Sequence, residues 1–384
     1  MAMPTKEETY QLRTYAKMGF EPVRGEGPCL WDAAGKRYLD FYGGHAVAST
    51  GHCHPEVVAA IREQAGKLLF YSNAVPSAVR GEAAEALVTF GYPGHSQVFL
   101  TNSGAEANEA ALKMARKFTG REEVVFTEGS FHGRSLAALS VCGIPKYRSF
   151  RPEAPGTRQI PFGDAEALKA AVTEKTAALL LEPVQSVAGM RTAPAEYFRV
   201  AREITEKQGA CLIFDEVQTA LGRTGHRMVG MHWGVEPDLA TSAKGVASGL
   251  PVGVTWIPDR IAKTIALGDH GATFGGGPTV SAAAVATLRV LTREKVWESA
   301  TRLETKIRAG VAKLGAPYTG VRGMGLLLGV ELAGHDAKVV AARLLELGAI
   351  VNAVTPTALR LAPSLLISDD ELDLAVELIA KALA

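Results

Sequence analysis

The sequence predicts an α/β protein: a mostly parallel sheet covered by helices, with a smaller α+β lobe assembled from both chain ends. Three observations carry this expectation. Apolar strand-like runs alternate with helix-patterned stretches from about residue 56 to 285, as in a sheet whose strands are joined by crossover helices. The flanking segments break that alternation. At 384 residues the chain also exceeds one ordinary hydrophobic core. The expected organisation is an N-terminal segment 1–55 that contributes to the small lobe, a large ligand-binding lobe 56–285, and a C-terminal small lobe 286–384.

Taken in order, "LWDAAGKRYLDF" (30–41) reads as a hairpin about a Gly-Lys turn. "SQVFLTNSG" (96–104) is an apolar run that stops at turn residues. The "AEANEAALKMARKF" that follows places Ala107, Ala111, Met114 and Phe118 on one helical face. "EEVVFTEGS" (122–130), "TAALLLEPVQ" (176–185), "ACLIFDEVQ" (210–218), "PDLATSAKG" (237–245) and "PVGVTWIP" (251–258) read as further strands. "PAEYFRVAREITEKQG" (194–209) is one of the helices between them. From 286 onward, "TLRVLTREKVWESATRLETKIRAGVAKL" is one long helical pattern leading into "GMGLLLGVEL" (323–332), a strand, and a helical C-terminus.

Composition narrows the function classes. The chain is 47% apolar with a formal net charge of +1 and no polybasic arm, which removes the electrostatic footprint of a nucleic-acid binder. No stretch is long and apolar enough to span a bilayer, and the N-terminal stretch has no apolar core of signal-peptide length, so the cytoplasm is the expected compartment. Cys29, Cys53, Cys142 and Cys211 are scattered, as reduced thiols are. "HCH" (52–54) has no second cluster to complete a metal site and reads as loop structure.

The strand ends carry the chemistry. Open parallel sheets bind ligands beyond the carboxyl ends of their strands. After 96–100 comes Asn102-Ser103-Gly104-Ala105-Glu106, opening a helix whose free amides favour an anion such as phosphate. Phe131 and Arg134 follow 122–127; an aromatic there can stack on a planar ring, and an arginine can grip a carboxylate. Asp215 ends the apolar run 211–214, where an acid needs a partner to be buried. Lys244, in a Gly-flanked turn of small residues, is a candidate for a desolvated lysine able to form Schiff bases. Singly each has a bland reading, as a tight turn, a core aromatic or a surface charge. Jointly they outline a pyridoxal phosphate site, which needs a lysine, an acid for the ring nitrogen and a phosphate cradle.

These stretches, "NSGAEANEAALKMARKFTG", "SFHGRSLAALSV", "EPVQ", "FDEVQTALGRTG", "SAKG" and "HGATFGGGP", resemble the class III (subgroup II) aminotransferases of fold type I, over nearly the whole chain from about Gly27. The acetylornithine branch of that family is the nearest in pattern. The resemblance implies a pyridoxal 5′-phosphate enzyme that transfers the terminal amino group of an N-acylated ornithine-type amine to 2-oxoglutarate. Lys244 would join the cofactor and shuttle the proton, and Asp215 would keep the ring nitrogen protonated. Phe131 and Val217 would sandwich the ring, Gln218 would reach its phenolic oxygen, and Gly104 and Ala105 would give amides to the phosphate. Thr273 would reach the cofactor of a neighbouring subunit, which implies a homodimer. Arg134 would hold a substrate carboxylate, and Glu182 with Arg360 would form a switchable pair that admits both the donor and glutamate.

The departures from the family pattern fall near the substrate. Ala105 replaces a threonine but keeps its amide, Ala272 removes a hydroxyl, and "EPVQSVAGM" replaces an acidic, glycine-rich stretch. His45 stands where ornithine-type enzymes carry a substrate-contacting tyrosine and acetylornithine enzymes an apolar residue. Alternative donors are therefore succinylornithine, carrier-bound lysine, ornithine, GABA or a broad range of amines. The rival class is a pyridoxal phosphate-binding protein without turnover, against which the intact Lys244, Asp215, Arg134 and Glu182 argue. "GMGLLLG" (323–329) has the wrong spacing for a dinucleotide loop.

Overall fold

The structure is a computed structural model that describes residues 5–149 and 153–383. Its centre is a seven-stranded sheet in the spatial order His95–Thr101, Gly253–Pro258, Leu239–Ser242, Cys211–Asp215, Thr176–Leu181, Glu123–Thr127, Thr157–Ile160. The last five strands of that order are parallel, whereas Gly253–Pro258 runs antiparallel to both its neighbours. Every residue of Thr176–Leu181 and Cys211–Asp215 is buried, because central strands of a sheet covered on both faces bury both sets of side chains.

The covering helices follow from their patterns. Gly104–Thr119 buries Ala107, Ala110, Ala111, Leu112, Met114 and Ala115. The alanines let the helix settle close to the sheet, where Thr255 Oγ1 donates to the Ala107 carbonyl at 2.9 Å. Ser103 caps its start, and Gly120, at φ 68°, ends it in the left-handed conformation. Ala195–Gln208 crosses between two central strands and ends the same way at Gly209.

Both chain ends contribute strands outside the large sheet. Cys29–Asp32 and Arg37–Asp40 form the expected hairpin, and Arg37–Asp40 also pairs, in parallel, with Ala349–Ile350. Tyr318–Met324, Leu327–Leu332, Ala358–Leu361 and Asn352–Thr355 make an antiparallel sheet. Two expectations are corrected here. The stretch 323–332 is not one strand; the chain reverses at Gly325-Leu326. The long helical pattern is two helices, Pro278–Arg293 and Val296–Leu314, separated at Lys295 with φ 45°. One apolar cluster joins these helices to the strands of the chain ends through Leu291, Leu303, Ile307, Leu328, Leu361 and Leu39. No helix among the described residues is long and apolar enough to cross a membrane.

Candidate active site

The parallel strands all deliver their carboxyl ends to one edge of the sheet. The antiparallel strand Gly253–Pro258 delivers its start, Leu250 to Val252, to the same edge. There they enclose a cavity of about 400 Å³ lined by Gly104, Ala105, Phe131, Glu182, Asp215, Val217, Gln218 and Lys244, together with Asn108 and His132. Eight of the residues singled out from the sequence thus meet in one place.

Asp215 is 3% exposed. Its Oδ2 accepts from Asn108 Nδ2 at 2.8 Å and from His132 Nδ1 at 2.7 Å, and its Oδ1 accepts from the Val217 amide at 3.0 Å. Asn108 is fixed in turn, donating to the His132 carbonyl at 2.8 Å and accepting from Thr241 Oγ1 at 2.6 Å. A carboxylate has about four acceptor positions, so one remains free on a rigidly held acid. Its neighbour Glu216 points elsewhere. It is fully buried, takes the Tyr92 hydroxyl and accepts from the Val229 amide at 2.6 Å. Burial pushes its carboxyl up to about 7.

Lys244 follows strand Leu239–Ser242 in a short 3₁₀ turn, with φ at 43°. A left-handed lysine is a sparsely populated conformation of the kind that gathers at functional sites. Burial lowers its ammonium to about 8, against the opposing pull of Asp215 and Glu182. Glu182 is held at both oxygens: the Phe131 amide donates to Oε2 at 3.1 Å, and the Ser186 amide and hydroxyl donate to Oε1 at 3.0 Å each. Burial first, and the charge of Asp215 second, push its carboxyl up to about 7.

At the start of helix Gly104–Thr119, Ser103 Oγ accepts the Glu106 amide at 3.2 Å. The amides of Gly104 and Ala105 have no intrahelical acceptor, and both residues line the cavity. A Cβ on Gly104 would lie 2.7 Å from Val217 Cγ2, so only glycine fits. Gln218 donates to the Ser186 hydroxyl while its Oε1, like His132 Nε2, is buried without a partner.

The remaining expected residues lie outside this lining. Arg134 is exposed, with its guanidinium 4.9 Å from the Tyr147 ring. Arg360, 2% exposed, donates from Nη2 to His45 Nδ1 at 3.0 Å and leaves Nε unpartnered. Among the described residues no carboxylate lies within ion-pair distance of either arginine, so the expected Glu182–Arg360 pair is not formed. Both oxygens of Glu182 are instead taken, one by the Phe131 amide and the other by the Ser186 amide and hydroxyl. Ala272 and Thr273 sit on a surface loop fixed by Asn73, which donates to the carbonyls of Ala272 and Gly275 at 3.0 Å. Thr273 is exposed.

Sequence reasoning missed His132, Asn108 and Thr241, and it missed the hold of Ser186 on Glu182. Asn108 left a signal, as a polar residue on the apolar face of an alanine-rich helix, where burial demands a partner. His132 lay unread inside "SFHGRS".

Residues 10–383 match the family described as aminotransferase class-III. The chain is 44% identical over 363 residues to an acetylornithine aminotransferase of Streptomyces coelicolor, covering 94% of this chain and 90% of that one. It is 41% identical over 371 residues to a [LysW]-aminoadipate semialdehyde transaminase of Deinococcus radiodurans, covering 96% and 86%. Its fold is similar to the crystal structure of an ornithine aminotransferase from Toxoplasma gondii, which carries pyridoxal phosphate at partial occupancy in its active site. That match has a TM-score of 0.92 at 32% identity, covering 98% and 92% of the two chains.

Proposed function

This chain belongs to the class-III aminotransferases, enzymes of fold type I that depend on pyridoxal phosphate, and from that premise we propose that it moves the terminal amino group of N-acetylornithine, or a close N-acylated relative, to 2-oxoglutarate. The products are a semialdehyde and glutamate, made in two half-reactions.

The cavity fits the cofactor on its own terms. It offers one open acceptor on Asp215, two free amides at a helix start, a glycine where any side chain would collide with Val217, and unpartnered polar atoms on Gln218 and His132. Pyridoxal phosphate supplies an aldehyde and an electron-withdrawing ring that stabilises charge on the substrate carbon. Asp215 would hold its ring nitrogen protonated, with Asn108 and His132 fixing the carboxylate's aim. Gly104 and Ala105 would receive the phosphate, Phe131 and Val217 would flank the ring, and Gln218 would meet its phenolic oxygen. Lys244 Nζ, with its affinity for protons lowered by burial, is suited to take a proton from the substrate carbon and return it.

The observation that carries the two-substrate reading is the pair of guanidinium groups without carboxylate partners among the described residues. Arg134 suits the single carboxylate of an N-acylated donor, and Arg360 suits the second carboxylate of glutamate or 2-oxoglutarate. The name of the Streptomyces relative supports the acyl-ornithine choice. Exposed Leu68, Leu69, Phe70, Tyr71, Val75 and Phe274, beside the Thr273 loop, support a homodimer in which Thr273 serves the partner's site. Cysteines without disulfides support a cytoplasmic location.

A panel of amines with 2-oxoglutarate as acceptor tests the proposal. N-Acetylornithine should exceed ornithine and GABA in kcat/KM by about tenfold or more, the size of one well-made polar contact. A preference for an amine without an acyl group would overturn the donor assignment.

A further inference from the structure

The second guanidinium has an unusual partner. Arg360 is buried in strand Ala358–Leu361, and the group it holds is a histidine 315 residues away in sequence, His45 Nδ1, at 3.0 Å. Arginine has only donors, so Nδ1 accepts and the ring proton sits on Nε2. The backbone that carries His45 is left-handed. Gly43, Gly44, His45 and Ala46 have φ of 56°, 56°, 69° and 64°, and two of the four are side-chain-bearing residues that seldom adopt such angles. Gly43 passes so close to the end of the arginine strand that a Cβ would lie 2.7 Å from the Ala362 carbonyl oxygen. Meanwhile Glu182, the carboxylate expected to pair with Arg360, is tied down by Ser186 and the Phe131 amide.

We propose that His45 is the specificity-determining partner of Arg360: its ring nitrogen holds the guanidinium while a monocarboxylate donor is in the site, and yields it to the second carboxylate of glutamate or 2-oxoglutarate. A buried arginine needs an acceptor when no substrate carboxylate is present. A carboxylate would meet that need but compete with the incoming dicarboxylate by forming a full ion pair; an imidazole meets it with a weaker bond that a carboxylate displaces readily. Partial burial, then the charges of Arg360, Lys244 and Arg134, hold the His45 ring down at about 4, so it remains an acceptor at neutral pH. The inference rests on the two-substrate reading above and adds the residue that makes it selective.

Glutarate, a dicarboxylate that cannot transaminate, is the probe, titrated calorimetrically into the holoenzyme with butyrate as the monocarboxylate control. His45→Glu places an ion-pair competitor beside Arg360 and should weaken glutarate about tenfold or more, the exchange value of a charged hydrogen bond, without changing butyrate. His45→Phe keeps a ring but removes the acceptor. It should leave glutarate binding equal or tighter while slowing the half-reaction of any accepted monocarboxylate amine severalfold. Glu182→Gln should change glutarate binding less than His45→Glu does. Unaltered glutarate affinity in His45→Glu, no glutarate binding to the parent, or a shift in Glu182→Gln as large as that at His45 would each overturn the proposal. Glutarate reports on Arg360 whichever amine is preferred, so failure to turn over N-acetylornithine would remove the donor assignment and leave these results standing.

Discussion

The floor and the rim of this site are built in opposite ways. On the floor, Asp215 and Thr241 come from adjacent strands, Asn108 from the helix packed against them and His132 from the loop after Glu123–Thr127, and they hold one another through bonds of 2.6 to 2.8 Å. At the rim, Arg134, Arg360, His45 and Thr273 come from loops and distant parts of the chain, and neither guanidinium has a carboxylate partner among the described residues. A fixed floor is preorganised for one kind of charge development. A rim with uncommitted charge can receive substrates of different charge in turn. The same division separates two neighbours in sequence: Asp215 faces the cavity with one acceptor position open, while Glu216 is consumed by Tyr92 and the Val229 amide. One carboxylate serves chemistry and the other holds structure.

Substitutions should respect that division. The largest effect belongs to the floor: Lys244→Ala should abolish transamination and the visible absorption of the lysine-linked cofactor, measured by spectrum and by glutamate formation. Residual activity near the parent's would remove Lys244 from the mechanism. The rim should give large but one-sided effects. Arg360→Ala should slow the dicarboxylate half-reaction on the order of a hundredfold, the scale for truncating one member of a buried charge pair, and spare the amine donor in stopped-flow measurement of each half-reaction. Glu182→Ala should slow both halves alike, since Glu182 holds Phe131 and Ser186 rather than Arg360. A donor-specific loss in that variant would restore the Glu182–Arg360 switch.

The smallest effect tests the structural carboxylate. Burial raises the Glu216 pKa to about 7 in the folded protein, above its ordinary value near 4.5. A raised carboxyl favours folding while protonated, and that contribution is lost as pH climbs through the folded value. Urea midpoints should therefore show the parent losing stability relative to Glu216→Gln between pH 5 and pH 8, by on the order of 2 kcal/mol. Activity at saturating cofactor should change little. A pH-independent difference would mean that Glu216 does not titrate in this window.

Asp215, Lys244, Gly104 and Ala105 were legible in the sequence because each lies in a short contiguous motif at the end of an apolar run, whereas Asn108, His132 and Thr241, which hold Asp215 in place, were not. Of the rim, Arg134 was legible from its place after an apolar run, while His45, Arg360 and Thr273 were legible only through resemblance, since nothing local connects His45 with Arg360. Several features of the fold escaped for definite reasons. Thr157–Ile160 is an edge strand with two exposed central residues, so it shows no apolar run. Strand direction is not written in a five-residue pattern, which hid the antiparallel course of Gly253–Pro258. The break at Lys295 lies among good helix formers, so tertiary packing rather than propensity sets it. Ser186 was noted as a departure, but that its hydroxyl and amide would both engage Glu182 depended on a turn four residues long.

The central claim is that one rigidly held carboxylate on the floor drives the chemistry whatever the rim admits. Asp215→Asn tests it most directly, through single-turnover rates of proton removal from the substrate carbon, with and without deuterium at that carbon. Asparagine preserves the shape and some of the bonds to Asn108 and His132 but cannot hold the ring nitrogen protonated. The account predicts retained cofactor and a proton-transfer rate lower by several powers of ten, equally for the amine donor and for glutamate. A rate within about tenfold of the parent's for either substrate would contradict it.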